Sequence, residues 1–254
     1  MTSIKPAGAI TLLAVSCLTI MVGCVIVPGL SDIAAQLRVS YLASWMVTLP
    51  ALGVILAGPL AGRAIDRFGA YPMLLIGLFC YGGLGVAGVW LPGAVPQIID
   101  RILLGGATAV VMSAGTGLIA SLYQAEARLG MIARQGVAIE LGGVVFLFVG
   151  GILASESWRY PYGLYLFSWL LLMLVLMCVP RPQQQMRAEI IEEGVTDSDR
   201  RLRPVWLAAF CSMICFFTAV IMLPQRFALM GVNAAHIGYF LSFVSLVAVL
   251  AAAL

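Results

Sequence analysis

Glu140 is a carboxylate placed near the middle of a long apolar run, residues 133–154. Residues three or four positions apart share one face of a helix, and on this face the neighbours of Glu140 are small or apolar: Gly136, Gly143, Leu147, Gly150 and Ala154. Small residues mark the faces on which helices meet inside a membrane, so we expect Glu140 to point into a helical bundle. Burial disfavours the charged form of a carboxylate, and such a group can bind and release a proton. A neutral glutamic acid, hydrogen-bonded between helices, is the other interpretation.

The segment from Gly62 to Gly69 carries an adjacent aspartate and arginine, Asp66 and Arg67. We expect a tight turn here, because glycine adopts backbone conformations that other residues avoid. An aspartate at the end of a span can pair with an arginine or cap a neighbouring helix. Such contacts can hold one conformation and release another, whereas an ordinary solvated turn is the alternative.

Arg101 stands near the start of another apolar run, residues 98–122, four residues before Gly105. An arginine inside a span costs about 2.5–3.5 kcal/mol on insertion scales. Because Arg101 and Gly105 share a helix face, a neighbouring helix can approach closely beside the cation. Two interpretations stay open: a functional charge, or a side chain that extends to the lipid headgroups.

Enzyme chemistry finds little support in the sequence. Ser113 has no histidine or lysine in a neighbouring run that could activate it as a nucleophile. His236 is the single histidine, and the six cysteines lie inside apolar runs without a metal-ligand pattern. We therefore expect no catalytic residue, no metal site and no cofactor.

These residues belong to a chain of 254 residues that is 62% apolar and only 10% charged. Soluble domains carry about 45–50% apolar and about 25% charged residues, so the composition excludes a soluble globule, a disordered chain and a nucleic-acid-binding protein. A membrane-spanning helix needs about 20 apolar residues. The sequence predicts an all-α membrane protein with spans near 8–29, 43–62, 72–92, 98–122, 133–154, 160–180, 205–224 and 236–254.

The segment 181–204 separates the first six predicted spans from the last two, because it holds ten of the 25 charged residues. We therefore expect an N-terminal six-helix half at 1–180, a charged cytoplasmic linker at 181–204, and the start of a second half at 205–254. With the N-terminus inside, ten lysines and arginines fall on the cytoplasmic side and three fall outside. This asymmetry predicts the orientation, since cytoplasmic loops are enriched in basic residues.

Three motifs resemble signatures of the major facilitator superfamily. Gly62, Asp66, Arg67 and Gly69 resemble the loop signature between its second and third helices. Arg101 and Gly105 resemble the Arg-x-x-x-Gly signature of its fourth helix. The fifth span resembles the antiporter signature of proton-driven exporters, which Gly142, Gly150 and Gly151 match, while Phe146 and Leu147 stand where that signature has Gly-Pro.

The resemblance implies a major-facilitator-type bundle, consisting of the first six-helix half plus the seventh and eighth helices of a twelve-span drug–proton antiporter, truncated after about eight spans. It implies secondary transport of a small solute by alternating access, with proton-coupled efflux as the first interpretation. Proton-coupled uptake of a small metabolite, or a non-transporting scaffold or receptor, are the alternatives. The implied partners are a small-molecule substrate, protons and the lipid bilayer, without nucleic acid. We expect a monomer in a bacterial inner membrane with its N-terminus in the cytoplasm.

Overall fold

Long helices make up the fold. The computed structural model describes residues 6–181 and 199–253, in which every regular element is helical. The α-helices are α1 Pro6–Cys24, α2 Leu30–Gln36, α3 Ala43–Phe68, α4 Ala70–Ala87, α5 Ala94–Leu122, α6 Ala125–Glu156, α7 Tyr160–Gly163, α8 Phe167–Cys178, α9 Asp199–Leu229 and α10 Ala234–Ala253. Short 3₁₀ turns lie at Ser40–Leu42, Gly88–Trp90 and Leu164–Leu166.

Six stretches in the described residues are long and apolar enough to cross a membrane. They are Pro6–Cys24, Ser40–Phe68, Ala70–Trp90, Ala94–Leu122, Glu126–Glu156 and Tyr160–Cys178. They correspond in order to the first six predicted spans. The predicted span 205–224 falls within α9, and residues 236–253 of the last predicted span fall within α10. Most of the predicted linker lies outside the described residues.

The first predicted span is shorter than expected, because α1 ends at Cys24 rather than continuing to residue 29. A turn follows and leads into α2. Pro28 lies in this turn, and proline cannot donate the backbone hydrogen bond that a continuing helix needs. Val25, Ile26 and Val27 are nevertheless fully buried, so the turn remains inside the packed bundle.

The expected tight turn from Gly62 to Gly69 is wrong in its extent. Helix α3 continues through Gly62 to Phe68, and the chain changes direction only at Gly69. Gly69 has a φ of +92°, a conformation that side-chain-bearing residues rarely adopt. No atom lies within 4 Å of a Cβ built on Gly62, so neither a turn nor a close approach requires that glycine. Gly69 alone is therefore sufficient to reverse the direction of the chain.

Helix α1 forms the centre of the bundle, and its buried residues include Leu12, Val15, Leu18 and Met21. Two tyrosine hydroxyls donate to its backbone: Tyr81 of α4 bonds Leu18 O at 2.8 Å, and Tyr165 bonds Val22 O at 2.9 Å. Such bonds cross between helices without leaving a buried hydroxyl unpaired.

Helices α3 and α5 cross at closely packed glycines. A Cβ built on Gly53 of α3 would lie 3.0 Å from Gly105 Cα and would overlap the carbonyl group of Ile102. In the same way, a Cβ on Gly105 would overlap the carbonyl group of Pro50. Small residues permit this backbone contact, which is the main source of helix association where lipid replaces water.

Candidate functional site

Arg101 is fully buried at the N-terminal end of α5, and it is paired with its neighbour Asp100, which is 3% exposed. The Arg101 Nη2 and Nε atoms donate to Asp100 Oδ2 at 2.9 and 3.2 Å. The rings of Tyr162 and Tyr165 lie 5.5 and 5.9 Å from the guanidinium carbon, within cation–π range. The interpretation in which Arg101 extends to the headgroups is therefore wrong, because the bundle itself encloses the charge.

Gly88, in the 3₁₀ turn after α4, makes room for this ion pair. A Cβ there would overlap Arg101 Nη2 and would lie 2.9 Å from Tyr162 Cε1 and 3.2 Å from Asp100 Oδ2. The Gln97 amide holds the same turn by donating to Gly88 O and Leu91 O, each at 2.7 Å. The turn and the start of α5 are thus fixed together by polar side chains.

Sequence reasoning singled out Arg101 but missed Asp100, Gln97 and Tyr162 as its companions. A signal was present, since Gln97, Asp100 and Arg101 are polar residues at helical spacing at the start of an apolar span. The tyrosines gave no such signal, because they come from a different helix and only the fold places them beside Arg101.

Glu140 is exposed in the structure, so the expected burial of its side chain is wrong. Its helix face is nevertheless a face of helix contact. On that face a Cβ at Gly143 would lie 3.5 Å from Ile20 of α1, and Leu147 O lies 2.7 Å from a Cβ built on Gly238 of α10. Glu140 therefore lies on the same face of α6 as Gly143 and Leu147, although its own side chain is exposed.

The three glycines of the antiporter-like motif lie at helix contacts. A Cβ on Gly142 would approach Cys17 Cβ to 2.7 Å, and one on Gly150 would approach Val25 O to 2.6 Å. The Cys17 thiol also donates to Ala138 O at 3.0 Å. Gly142 and Gly150 thus contact α1 and the turn after it, whereas Gly151 contacts α10.

Helix α10 joins the first six spans through α6. A Cβ on Gly151 would lie 2.8 Å from Gly238 Cα and 3.0 Å from Ala234 O. Ser242 Oγ lies 3.0 Å from Val144 O across the same contact and 2.7 Å from Gly238 O of its own helix, so its single proton is shared between the two carbonyls. The rings of Phe148 and Tyr239 also meet here, with their centroids 5.0 Å apart. No ion pair between described residues joins α6 to α10.

Asp66 and Arg67, at the end of α3, are exposed. The Arg67 guanidinium lies 5.3 Å over the ring of Phe68, and Asp66 forms no ion pair with any described residue. That Asp66 and Arg67 form a latch, a contact that holds one conformation and releases another, stays a prediction.

Within the described parts of the chain, no group of three or more histidines, cysteines or carboxylates could hold a metal ion. The six cysteines there are free thiols.

A bundle of long apolar helices that meet at glycines and bury an arginine defines a multi-pass membrane protein. The model of the Major Facilitator Superfamily matches residues 11–254, and the chain belongs to that family. The family and the helical fold that its motifs suggested are thereby confirmed.

Two curated relatives and two solved structures are similar to this chain. Multidrug resistance protein 1 of Bacillus subtilis is 26% identical over 212 residues, which cover 80% of this chain and 53% of that protein. A triacylglyceride transporter of Mycolicibacterium smegmatis is 30% identical over 139 residues, or 55% of this chain and 25% of that protein. The crystal structure of a D-xylose–proton symporter matches 96% of this chain and 65% of its own at 20% identity, with a TM-score of 0.67. An inward-open xylose transporter from E. coli matches 80% of this chain and 56% of its own at 20% identity, with a TM-score of 0.59.

The two structures show that the fold is shared. The chain spans about half the length of the Bacillus relative that it matches. The expectation that the protein is not an enzyme is confirmed, since its homologues are transporters.

Proposed function

We propose that the protein is a proton-coupled secondary transporter that exports a small amphipathic compound by alternating access. Family membership supports transport, and the names of the Bacillus and Mycolicibacterium relatives support the export of drug-like or lipid-like solutes. The observation that carries the proton coupling is the place of Glu140 on the α6 face turned toward α1 and α10. A carboxylate there can exchange protons with either side when access to that face changes.

Two of the contacts between α6 and α10 are suited to a rocking motion. No side chain separates the two backbones at Gly151 and Gly238. The Ser242 hydroxyl is shared between Val144 O and Gly238 O of its own helix, so it keeps a partner when its bond to α6 breaks. Transporters of this kind move two rigid halves about a site near the middle of the membrane. In this proposal α6 and α10 form the hinge, and Glu140 lies next to it.

Arg101 has a different part in the proposal. It is fully buried and already paired, so it contributes a fixed positive charge that tunes the protonation of the bundle. Gly105 keeps α3 against the helix that carries this charge. Gly142 and Gly150 keep α6 against α1 and the turn that follows it.

The latch belongs to the cytoplasmic side in this proposal. Exposed Asp66 and Arg67 would hold the inner ends of the halves together in one state and separate in the other. The charge asymmetry supports a cytoplasmic N-terminus in this proposal, in which the protein acts as a monomer in a bacterial inner membrane.

Flux measurements in proteoliposomes test the proposal. The protein that is reconstituted is the longest one that the reading frame encodes. Ethidium serves as the amphipathic probe and xylose as the uptake probe, so the same vesicles separate efflux from symport. Glu140→Gln keeps the hydrogen-bonding groups of the side chain but cannot titrate. We expect it to abolish flux driven by a pH gradient while ethidium binding survives.

Glu156→Gln is the matched control, because Glu156 is also exposed but ends the same helix. It should leave the driven flux intact. Undiminished flux in Glu140→Gln would remove Glu140 from the mechanism. Driven accumulation of xylose instead of ethidium export would favour the symport alternative, and no flux of either probe would favour the scaffold or receptor.

A further inference from the structure

Four polar atoms are buried together at the N-terminal end of α5 without a hydrogen-bond partner among the described residues. They are Gln97 Oε1, Asp100 Oδ1, Arg101 Nη1 and the Tyr162 hydroxyl oxygen. All four side chains are at most 3% exposed. Buried polar groups in proteins are nearly always hydrogen-bonded to protein or to ordered water.

The four residues converge on Gly88. The Gln97 amide donates to Gly88 O, while Arg101 Nη2, Tyr162 Cε1 and Asp100 Oδ2 all lie within 3.2 Å of a Cβ built there. They come from two separate parts of the chain, α5 and α7. The four residues that carry the unpartnered atoms therefore belong to one polar cluster around Gly88.

The hydrogen-bonding types of the four atoms are complementary. Arg101 Nη1 can only donate, the Tyr162 hydroxyl can donate, and Asp100 Oδ1 accepts. Gln97 Oε1 is also an acceptor, because the two carbonyl contacts of its other terminal atom identify that atom as the amide nitrogen. Two donors and two acceptors match the capacity of one water molecule, which accepts two hydrogen bonds and donates two.

We propose that Gln97, Asp100, Arg101 and Tyr162 form a binding site for a structural water that joins their four free polar atoms. A buried water needs two to four polar partners, and this cluster supplies four. The water bridges the ion pair on α5 to Tyr162 on α7 and to the turn held by Gln97. Arg101 is then a positioning residue whose charge is held in place beside Asp100. The site does not depend on the proposed transport function.

Radiolytic hydroxyl-radical labelling in H₂¹⁸O tests the site on the 254-residue chain in lipid nanodiscs, because radicals formed from a bound water modify the side chains that touch it. Tyr81 is the matched internal control. It is as fully buried as Tyr162, but its hydroxyl already bonds to Leu18 O. We expect ¹⁸O incorporation at Tyr162 to exceed that at Tyr81 several-fold. Equal incorporation at the two tyrosines would contradict the proposal.

The change in melting temperature of Tyr162→Phe is an independent test, because its sign differs between the two cases. If water bonds the hydroxyl, its removal lowers the melting temperature, as it does for Tyr81→Phe. If the hydroxyl is unpartnered, removing it relieves a desolvated polar group and raises the melting temperature. An unchanged or raised value for Tyr162→Phe would contradict the proposal.

Discussion

Gln225 of α9 donates a hydrogen bond to Ser44 Oγ, at the start of α3, at 2.9 Å, although the two residues are 181 positions apart in the sequence. Both line a cleft of about 340 Å³, together with Ser31, Ser40 and Tyr41. This bond links the first six spans to α9 at the end of α3 opposite Asp66. In an alternating-access cycle it must break whenever that end of the molecule opens.

Cross-linking these two positions is therefore expected to stop the cycle. In a background with the six native cysteines replaced, Ser44→Cys together with Gln225→Cys should lose flux when a short bismaleimide is added. Each single variant should retain its flux under the same treatment. The measurement is ethidium flux in proteoliposomes before and after cross-linking, and unimpaired flux in the cross-linked double variant would show that the contact does not open.

Gly151→Leu is expected to separate α6 from α10. The new side chain would begin 2.8 Å from Gly238 Cα, and neither backbone can move away without opening the contact. Overpacking of this kind costs about 1–3 kcal/mol, so thermal unfolding should occur at a lower temperature. Gly130→Leu on the same helix is the control, since no atom lies within 4 Å of its Cβ. That variant should be neutral or slightly stabilised, because leucine favours a helix more than glycine does.

The ion pair of Asp100 and Arg101 predicts a non-additive pair of substitutions. Arg101→Met leaves a buried carboxylate without its cation, and losing one partner of such a pair costs about 3–5 kcal/mol. Replacing both, as Asp100→Leu with Arg101→Met, removes the unpaired charge and should recover part of the loss. The stability of the wild-type protein, of Arg101→Met and of the double variant should be measured by unfolding in nanodiscs. A double variant less stable than Arg101→Met alone would show that the pair is not the source of the cost.

Asp66→Asn is expected to reduce transport without reducing insertion. The residue is exposed at the end of α3, so its charge contributes little to the stability of the bundle. A cytoplasmic latch that uses the charge would fail in the variant. Flux and the amount of protein in the membrane should be measured together, and normal flux would assign the residue to an ordinary exposed helix end.

The predicted orientation can be tested at two exposed arginines. Arg134 of α6 belongs to the cytoplasmic side in the prediction, and Arg159, after the end of α6, belongs to the outside. In cells of the cysteine-free background, an impermeant maleimide should label Arg159→Cys and leave Arg134→Cys unlabelled. The reverse pattern would invert the topology.

The sequence by itself determined where the helices lie. A backbone in hydrocarbon must satisfy its own hydrogen bonds, and an apolar run of about 20 residues does so only as a helix. The six spanning stretches therefore appear in the predicted order. Departures are local: Pro28 lies in the turn that follows the early end of α1, and α3 needs only Gly69 to reverse direction.

Only the tertiary structure decided what each polar side chain meets. Glu140 lies on the predicted helix-contact face but is exposed, because periodicity alone does not fix which residues of a face the neighbouring helices cover. The tyrosines beside Arg101 and the link from Gln225 to Ser44 come from residues far apart in the sequence. Helical periodicity fixes which residues share a face, whereas the packing of distant helices determines which faces meet.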